Sequence, residues 1–184
     1  MWNAATFALL VACAPLTQDN VRTVAAIEVV LQTSADRADL LAVLRQQAAA
    51  DPALHVDDVS DRWEELKAQA QNFPPEADGT LYVGVWRGEN DDEQEADVDD
   101  MGHKGRVWLT FPKGRVPERS LNFRTRLIAA IRDRWPSSKA IPILPSGALP
   151  LAVDLQETPT GYKITKTAAP RYGLLPTSAL VAPD

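Results

Sequence analysis

Two stretches of alternating residues decide the fold: TLYVGVWR at residues 80–87 and RVWLTF at residues 106–111. Both are rich in β-branched and aromatic residues, and aliphatic side chains recur at every second position, which is typical of strands with two different faces. One face of each strand is aliphatic, and the other carries aromatic rings and an arginine. We therefore predict that the two stretches pair as an antiparallel hairpin with a long connection.

The aromatic face of this hairpin is a candidate binding surface. It is predicted to carry Tyr82, Trp86 and Trp108, with Arg106 beside them. Aromatic rings on an open sheet stack on bases or sugar rings, and an exposed cluster also serves as a protein interface. The alternative is that the C-terminal hairpin or arm covers this face and buries the rings in a second small core, because large aromatic side chains are buried on average.

The connection between the two strands is strongly acidic. Residues 51–100 hold sixteen Asp and Glu against three Lys and Arg, whereas residues 101–139 hold ten basic and two acidic residues. Such an asymmetry either steers a charged partner or lets one half of a domain complement the other, and the second is favoured. Because runs of like charge repel, we predict that residues 89–100 form a flexible acidic loop.

Upstream of the hairpin, residues 24–32 predict a strand and residues 33–51 a helix. The strand is rich in β-branched residues and places Glu28 on the face opposite Ile27 and Val29. Thr33 and Asp36 have the spacing of a capping box, which marks the start of a helix that Asp51-Pro52 ends.

The remaining elements are predicted from the same signals. A second helix begins near Asp61 and a third near Pro117, where Phe123, Leu127, Ile131 and Trp135 are spaced four residues apart. Short strands are predicted at 54–59 and 141–144, a hairpin at 149–157 and 162–166, and an extended arm at 167–184.

This order of elements resembles the split βαβ plan of ferredoxin-like sandwiches. The predicted fold is α+β: a two-layer sandwich of a mainly antiparallel sheet and about three helices, with an added C-terminal hairpin. Residues 23–184 are predicted to form one domain, since this length suits a single core.

The N-terminal segment points to a location rather than an activity. An apolar run over residues 4–12 is followed by Cys13, the single cysteine of the chain. Leu10-Val11-Ala12-Cys13 resembles the lipobox of bacterial lipoprotein precursors. The resemblance implies a signal peptide at 1–12, lipidation of Cys13, a tether at 13–22, and a protein anchored to a cell-envelope membrane and facing the periplasm. The alternative is a cytoplasmic domain in which this run forms a buried strand or helix turn.

Catalytic and metal-binding motifs are weak. Ser146 lies in a Pro-Ser-Gly turn and lacks the Gly-x-Ser-x-Gly elbow of a serine nucleophile. His55 and His103 do not have zinc-site spacing, and an EF-hand alignment places Met101 and Trp108 at ligand positions. We predict no catalytic residue, no metal and no cofactor, and an acidic exported protein is a poor nucleic-acid binder.

Two function classes follow from these patterns. The favoured one is a membrane-anchored, non-enzymatic binding or assembly module of the cell envelope, with a protein among its candidate partners. The alternative is a small soluble enzyme or small-molecule binder whose pocket lies between the sheet and the C-terminal hairpin.

Overall fold

The structure is a computed structural model that describes residues 22–62, 81–89, 93–100 and 105–175. These ranges form an α+β fold with a mainly antiparallel sheet, as predicted. The strands and α-helices are, in chain order, β1 (Thr23–Val30), α1 (Ser34–Ala48), β2 (Leu54–Asp58), β3 (Tyr82–Arg87), β4 (Glu93–Asp99), β5 (Arg106–Pro112), α2 (Pro117–Arg134), β6 (Lys139–Ala140), β7 (Leu155–Glu157) and β8 (Tyr162–Ile164). Short 3-10 helices lie at Ser60–Arg62, Ala152–Asp154 and Ala169–Tyr172.

The main sheet has six strands in the order β2-β3-β4-β5-β1-β6, and all neighbouring strands are antiparallel. β7 and β8 form a separate hairpin. Three strands lie between β1 and β2, the two strands that α1 connects. The ferredoxin-like order is not confirmed, and the helix predicted after Asp61 falls at residues outside the described ranges.

The main core lies between one face of the sheet and the two helices. The aliphatic face predicted for the strands is confirmed, because Val83, Val85 and Leu109 are fully buried. They pack with Leu40 and Leu44 of α1 and with Phe123, Leu127 and Ile131 of α2. Burial of each large apolar side chain contributes about 1.5–3 kcal/mol, so this face is the main source of stability.

Both described helices begin where the sequence predicts. The Thr33 hydroxyl accepts the Asp36 N–H, and the Asp36 carboxylate accepts the Thr33 N–H, so the capping box at the start of α1 is confirmed. α2 begins at Pro117, whose missing N–H would have no partner in a first helical turn.

The prediction of a flexible acidic loop is wrong for residues 93–99. Residues 93–99 form β4, which lies between β3 and β5, so those two strands do not pair directly as a hairpin. Ala96 and Val98 alternate with the acidic residues of β4 and are fully buried in the main core. Burial of these apolar side chains therefore outweighs the electrostatic repulsion among the carboxylates of β4.

An internal ion pair makes this arrangement possible. Glu95 of β4 is 2% exposed, and its Oε1 lies 2.5 Å from Nε of Arg87. The NH1 group of Arg87 also lies 2.8 Å from Oδ2 of Asp51, just beyond α1. A buried carboxylate is tolerated when it has a cationic partner, and Arg87 supplies one.

The C-terminal segment differs from the prediction in detail. The edge strand lies at residues 139–140 rather than 141–144, and the hairpin is shorter than predicted. The arm is not extended throughout, because Ala169–Tyr172 forms a 3-10 helix that packs Ala168 and Ala169 against Leu144 and Ile164.

Within the described ranges, we find no helix that combines the length and the apolar character needed to cross a membrane. The predicted signal peptide, Cys13 and all but the last residue of the tether lie outside these ranges.

Candidate functional site

The second face of the sheet carries a cluster of polar side chains around Glu28. Glu28 on β1 stands directly opposite Trp108 on β5, and Arg106 lies two residues from Trp108 on the same face. The β7–β8 hairpin adds Tyr162 from above. It approaches β6 closely at Gly161, where an added Cβ would lie 2.6 Å from the Ala140 carbonyl oxygen. Glycine at this position therefore allows the hairpin to sit on the sheet.

Glu28 is 5% exposed and accepts hydrogen bonds from three side chains. Its Oε2 accepts the Trp108 indole N–H at 3.0 Å, and its Oε1 accepts from Arg106 NH1 at 2.9 Å and from the Tyr162 hydroxyl at 2.5 Å. Burial, followed by this bond to Glu28, raises the pKa of Tyr162 to about 12. The negative charge of Glu28 is thus compensated inside the protein.

Arg106 is the residue of this cluster that still has N–H donors available for further hydrogen bonds. Its NH1 group donates to Glu28 and to the Tyr162 hydroxyl at 3.0 Å. A guanidinium has five N–H donors, and those on Nε and NH2 of Arg106 have no partner among the described residues. Because 46% of its side chain is exposed, Arg106 offers these donors to solvent or to a ligand.

Two clefts flank this cluster, and both are lined by Arg106, Trp108 and Ala152. One cleft has a volume of about 240 Å³ and is completed by Glu28, Val153, Leu155 and Tyr162. The other cleft has a volume of about 310 Å³ and is completed by Asp99, Asp100, Leu149, Pro150 and Leu151. The walls from the C-terminal segment are apolar, and Val153 is 83% exposed at the rim. The arrangement suits a small amphipathic ligand.

The four residues predicted as one aromatic surface fall into two groups. Arg106 and Trp108 line the clefts, and the half-buried Trp108 packs against the small core that contains Tyr162 of the C-terminal segment. Tyr82 is separated from Trp108 by the intervening Asp99 of β4. Trp86 lies over Gly84, where an added Cβ would meet its Nε1 atom at 2.1 Å.

A second carboxylate cluster accompanies Tyr82. Asp97 lies beside Gly84 and Thr110 on neighbouring strands, and its Oδ1 has no hydrogen-bond partner among the described residues. Burial and then the nearby charge of Asp99 raise the pKa of Asp97 to about 7. Burial, Asp97 and Asp99 raise the pKa of Tyr82 to about 12. The protonation state of Asp97 therefore changes near neutral pH.

The other candidate residues do not join these clusters. Ser146 lies in a turn, where its hydroxyl accepts the Ala148 N–H. His55 lies on β2 at the far edge of the sheet, and His103 is outside the described ranges. Among the residues the structure describes, no group of three or more His, Cys, Asp and Glu side chains is placed to hold a metal ion.

Sequence reasoning missed part of the site. Tyr162 and residues 152–155 come from a segment that the sequence identifies only as a hairpin. Glu28 gave a signal, since it is the single charged residue in an otherwise apolar strand. A buried strand tolerates such a residue only when it finds partners, so the pattern predicts a polar contact without naming its members.

A comparison with protein-family models, curated proteins and solved structures finds no match to this chain.

Proposed function

We propose that this protein is a non-enzymatic binding module that Cys13 tethers to a cell-envelope membrane, with its ligand site in the two clefts beside Trp108. The observation that carries this proposal is the pair of clefts between the sheet and the C-terminal segment, which share Arg106 and Trp108. The lipobox-like sequence before Cys13 supports the tether. The resemblance to a ferredoxin-like order of elements carries no functional information.

The ligand class follows from which charged group is accessible. In the cleft lined by Tyr162 the charged residues are Glu28, which is 5% exposed, and Arg106, of whose side chain 46% is exposed. A ligand in this cleft therefore meets the guanidinium more readily than the carboxylate, whereas the cleft lined by Leu149 also contains the half-buried carboxylate of Asp99. An organic anion fits best, with its carboxylate on Nε and NH2 of Arg106 and its apolar part against the aliphatic wall.

Three six-carbon probes test this assignment: hexanoate, hexylamine and hexanol. We expect hexanoate to shift the NMR resonance of the Trp108 indole N–H, which is identified by its loss in Trp108→Phe. The shift should saturate with hexanoate and be at least tenfold weaker with the other two probes, because only hexanoate matches the guanidinium. Equal responses to all three probes would show that they bind through their apolar chains alone, and this result would overturn the anion site.

The matched control for this experiment is Arg171. Like Arg106, it is about half exposed and pairs with a buried carboxylate, Asp154, at 2.7 Å. Arg106→Gln should abolish the hexanoate response, whereas Arg171→Gln should preserve it. Loss of the response in both variants would point to general destabilisation and contradict a role for Arg106 as the anion contact.

A further inference from the structure

The sheet order turns the charge asymmetry of the sequence into an asymmetry in space. The acidic half of the chain supplies β2, β3 and β4, which form one side of the sheet. Much of the basic half follows β5 and supplies α2 and β6, and β6 forms the opposite edge of the sheet beside β1. The basic side chains are therefore carried by α2 and by the edge at β1 and β6, although α2 packs on the face of the sheet and also contacts β4.

The edge at β1 and β6 combines positive charge with apolar surface. One cleft there, of about 430 Å³, is lined by Arg22 and Lys113 together with Val24 and Ile143. A second cleft, of about 130 Å³, is lined by Arg132 together with Ile128, Ile141 and again Ile143. Ile143 lines both clefts, so they are neighbours on this edge. We call this surface the basic edge.

α2 extends the basic edge along one of its flanks. Arg124, Ile128 and Arg132 are four residues apart and therefore lie on one stripe of the helix. Neither Arg124 nor Arg132 forms an ion pair with a described residue. Partial burial lowers the pKa of Arg124, but a guanidinium remains charged at neutral pH. Leu121 adds an apolar side chain that is 48% exposed.

The chain enters the described fold at this same edge. Arg22, the first described residue, hydrogen-bonds through NH2 to the Pro145 carbonyl oxygen at 2.5 Å. Cys13 lies nine residues earlier in the sequence, and nine residues span at most roughly 30 Å even when fully extended. A lipid on Cys13 would therefore keep the basic edge within that distance of the bilayer.

We propose that the basic edge is a docking surface for an anionic phospholipid bilayer; its orientation toward the membrane rests on the lipid anchor of the proposed function. Arginine and lysine side chains attract anionic headgroups, and the exposed side chain of Leu121 enters the interface. The acidic edge at β2 is repelled by the same surface. The two effects together orient the clefts beside Trp108 relative to the membrane.

The test uses the full chain with Cys13→Ala, so that no attached lipid contributes to binding. We expect this protein to sediment with vesicles of phosphatidylcholine and phosphatidylglycerol more strongly than with phosphatidylcholine vesicles, and the difference to shrink at high salt. Since each basic side chain at an anionic surface strengthens binding about fivefold, Arg124→Gln with Arg132→Gln should weaken it roughly 25-fold.

Arg119 and Arg126 provide the matched control on the other flank of α2. Arg126 donates to the Gln47 carbonyl oxygen of α1, so this flank faces away from the basic edge. Arg119→Gln with Arg126→Gln removes the same charge and should weaken binding only a few-fold. The single variant Arg132→Gln, at an exposed position, should weaken binding about fivefold and keeps the test valid if the Arg124 substitution disturbs folding.

Equal weakening by both double variants, or equal binding to both vesicle types, would overturn the docking surface. The apolar leader is common to all variants and cannot produce a difference between them. The anchor is tested separately by the intact mass of native protein from cells. Absence of a diacyl adduct would overturn the anchor, and a specific loss of vesicle binding in the Arg124 and Arg132 variant would still support the basic edge.

Discussion

Glu28 and Asp97 are two carboxylates on the same face of the same sheet, and their surroundings differ sharply. Glu28 accepts from a guanidinium, an indole and a phenol. Asp97 is bonded by the Tyr82 hydroxyl and the Val98 backbone N–H, and a second carboxylate, Asp99, lies nearby. Burial and Asp99 bring the pKa of Asp97 to about 7.

The difference shows what stabilises charge inside this fold. Burial disfavours an ionised carboxylate, and hydrogen bonds together with a cationic neighbour oppose that effect. Glu28 has such a neighbour in Arg106, whereas the ionised neighbour of Asp97 has the same sign. One carboxylate therefore organises the ligand site, and the other responds to pH.

Removal of Glu28 should have the largest effect. Glu28→Ala leaves the Trp108 indole N–H and the Tyr162 hydroxyl without their acceptor in a largely buried site, and we expect the free energy of unfolding to fall by about 3–4 kcal/mol. Urea unfolding measures this loss. The control is Glu157→Ala, which removes an exposed partner of Lys139 and should change the free energy of unfolding far less. Similar losses in both variants would contradict the central role of Glu28.

Replacement of Asp97 should change the dependence of stability on pH. Its native pKa of about 7 lies above the ordinary value of 3.8, so the native state binds more protons than the unfolded state between these values. The unfolding free energy contributed by Asp97 is therefore present below pH 4 and is lost as the pH rises through 7. Relative to Asp97→Asn, the native protein should lose about 4 kcal/mol over this range.

Urea unfolding of both proteins at a series of pH values measures this difference. Asp57→Asn serves as the control, because Asp57 lies two strands away on the same face and at the edge strand β2. The change in slope between pH 4 and pH 7 should be larger for Asp97→Asn than for Asp57→Asn. A curve for Asp97→Asn parallel to that of the native protein would show that the pKa of Asp97 does not change on folding.

The two tyrosines offer the smallest and most closely matched comparison. Tyr82→Phe and Tyr162→Phe each remove one hydroxyl group that donates a hydrogen bond to a carboxylate. Each should lower the free energy of unfolding by about 1 kcal/mol. Only Tyr82→Phe should also move the pH-dependent loss of stability to higher pH, because the Tyr82 hydrogen bond lowers the pKa of Asp97. Identical pH profiles for the two variants would show that the Tyr82 hydroxyl does not affect the pKa of Asp97.

The periodicity of the sequence predicts which segments form strands and helices, but it does not predict which strands lie next to each other in the sheet. The faces of β3 and β5 and the capping box of α1 follow from side-chain spacing, which acts over a few residues. The position of β4 between β3 and β5 does not, because a high density of carboxylates typically marks a solvated loop. Its pairing depends on Arg87, which neutralises Glu95 from another strand.

The candidate site shows the same division. Arg106 and Trp108 were predicted to lie together because they alternate on one strand. Their separation from Tyr82 and Trp86 depends on the insertion of β4, and their partner Tyr162 lies 134 residues from Glu28 in the chain. Contacts over such sequence distances leave no periodic signal.

The amino-acid sequence by itself determined the strand faces, the helix starts and the charge asymmetry between residues 51–100 and 101–139, because each depends on the order of neighbouring residues. Only the tertiary structure decided that Glu28 gathers donors from β5 and β8, that Asp97 is buried beside Tyr82, and that several basic residues reach the edge where the chain enters the described fold. These outcomes depend on burial and on distances between remote segments, which the packing of the sheet establishes.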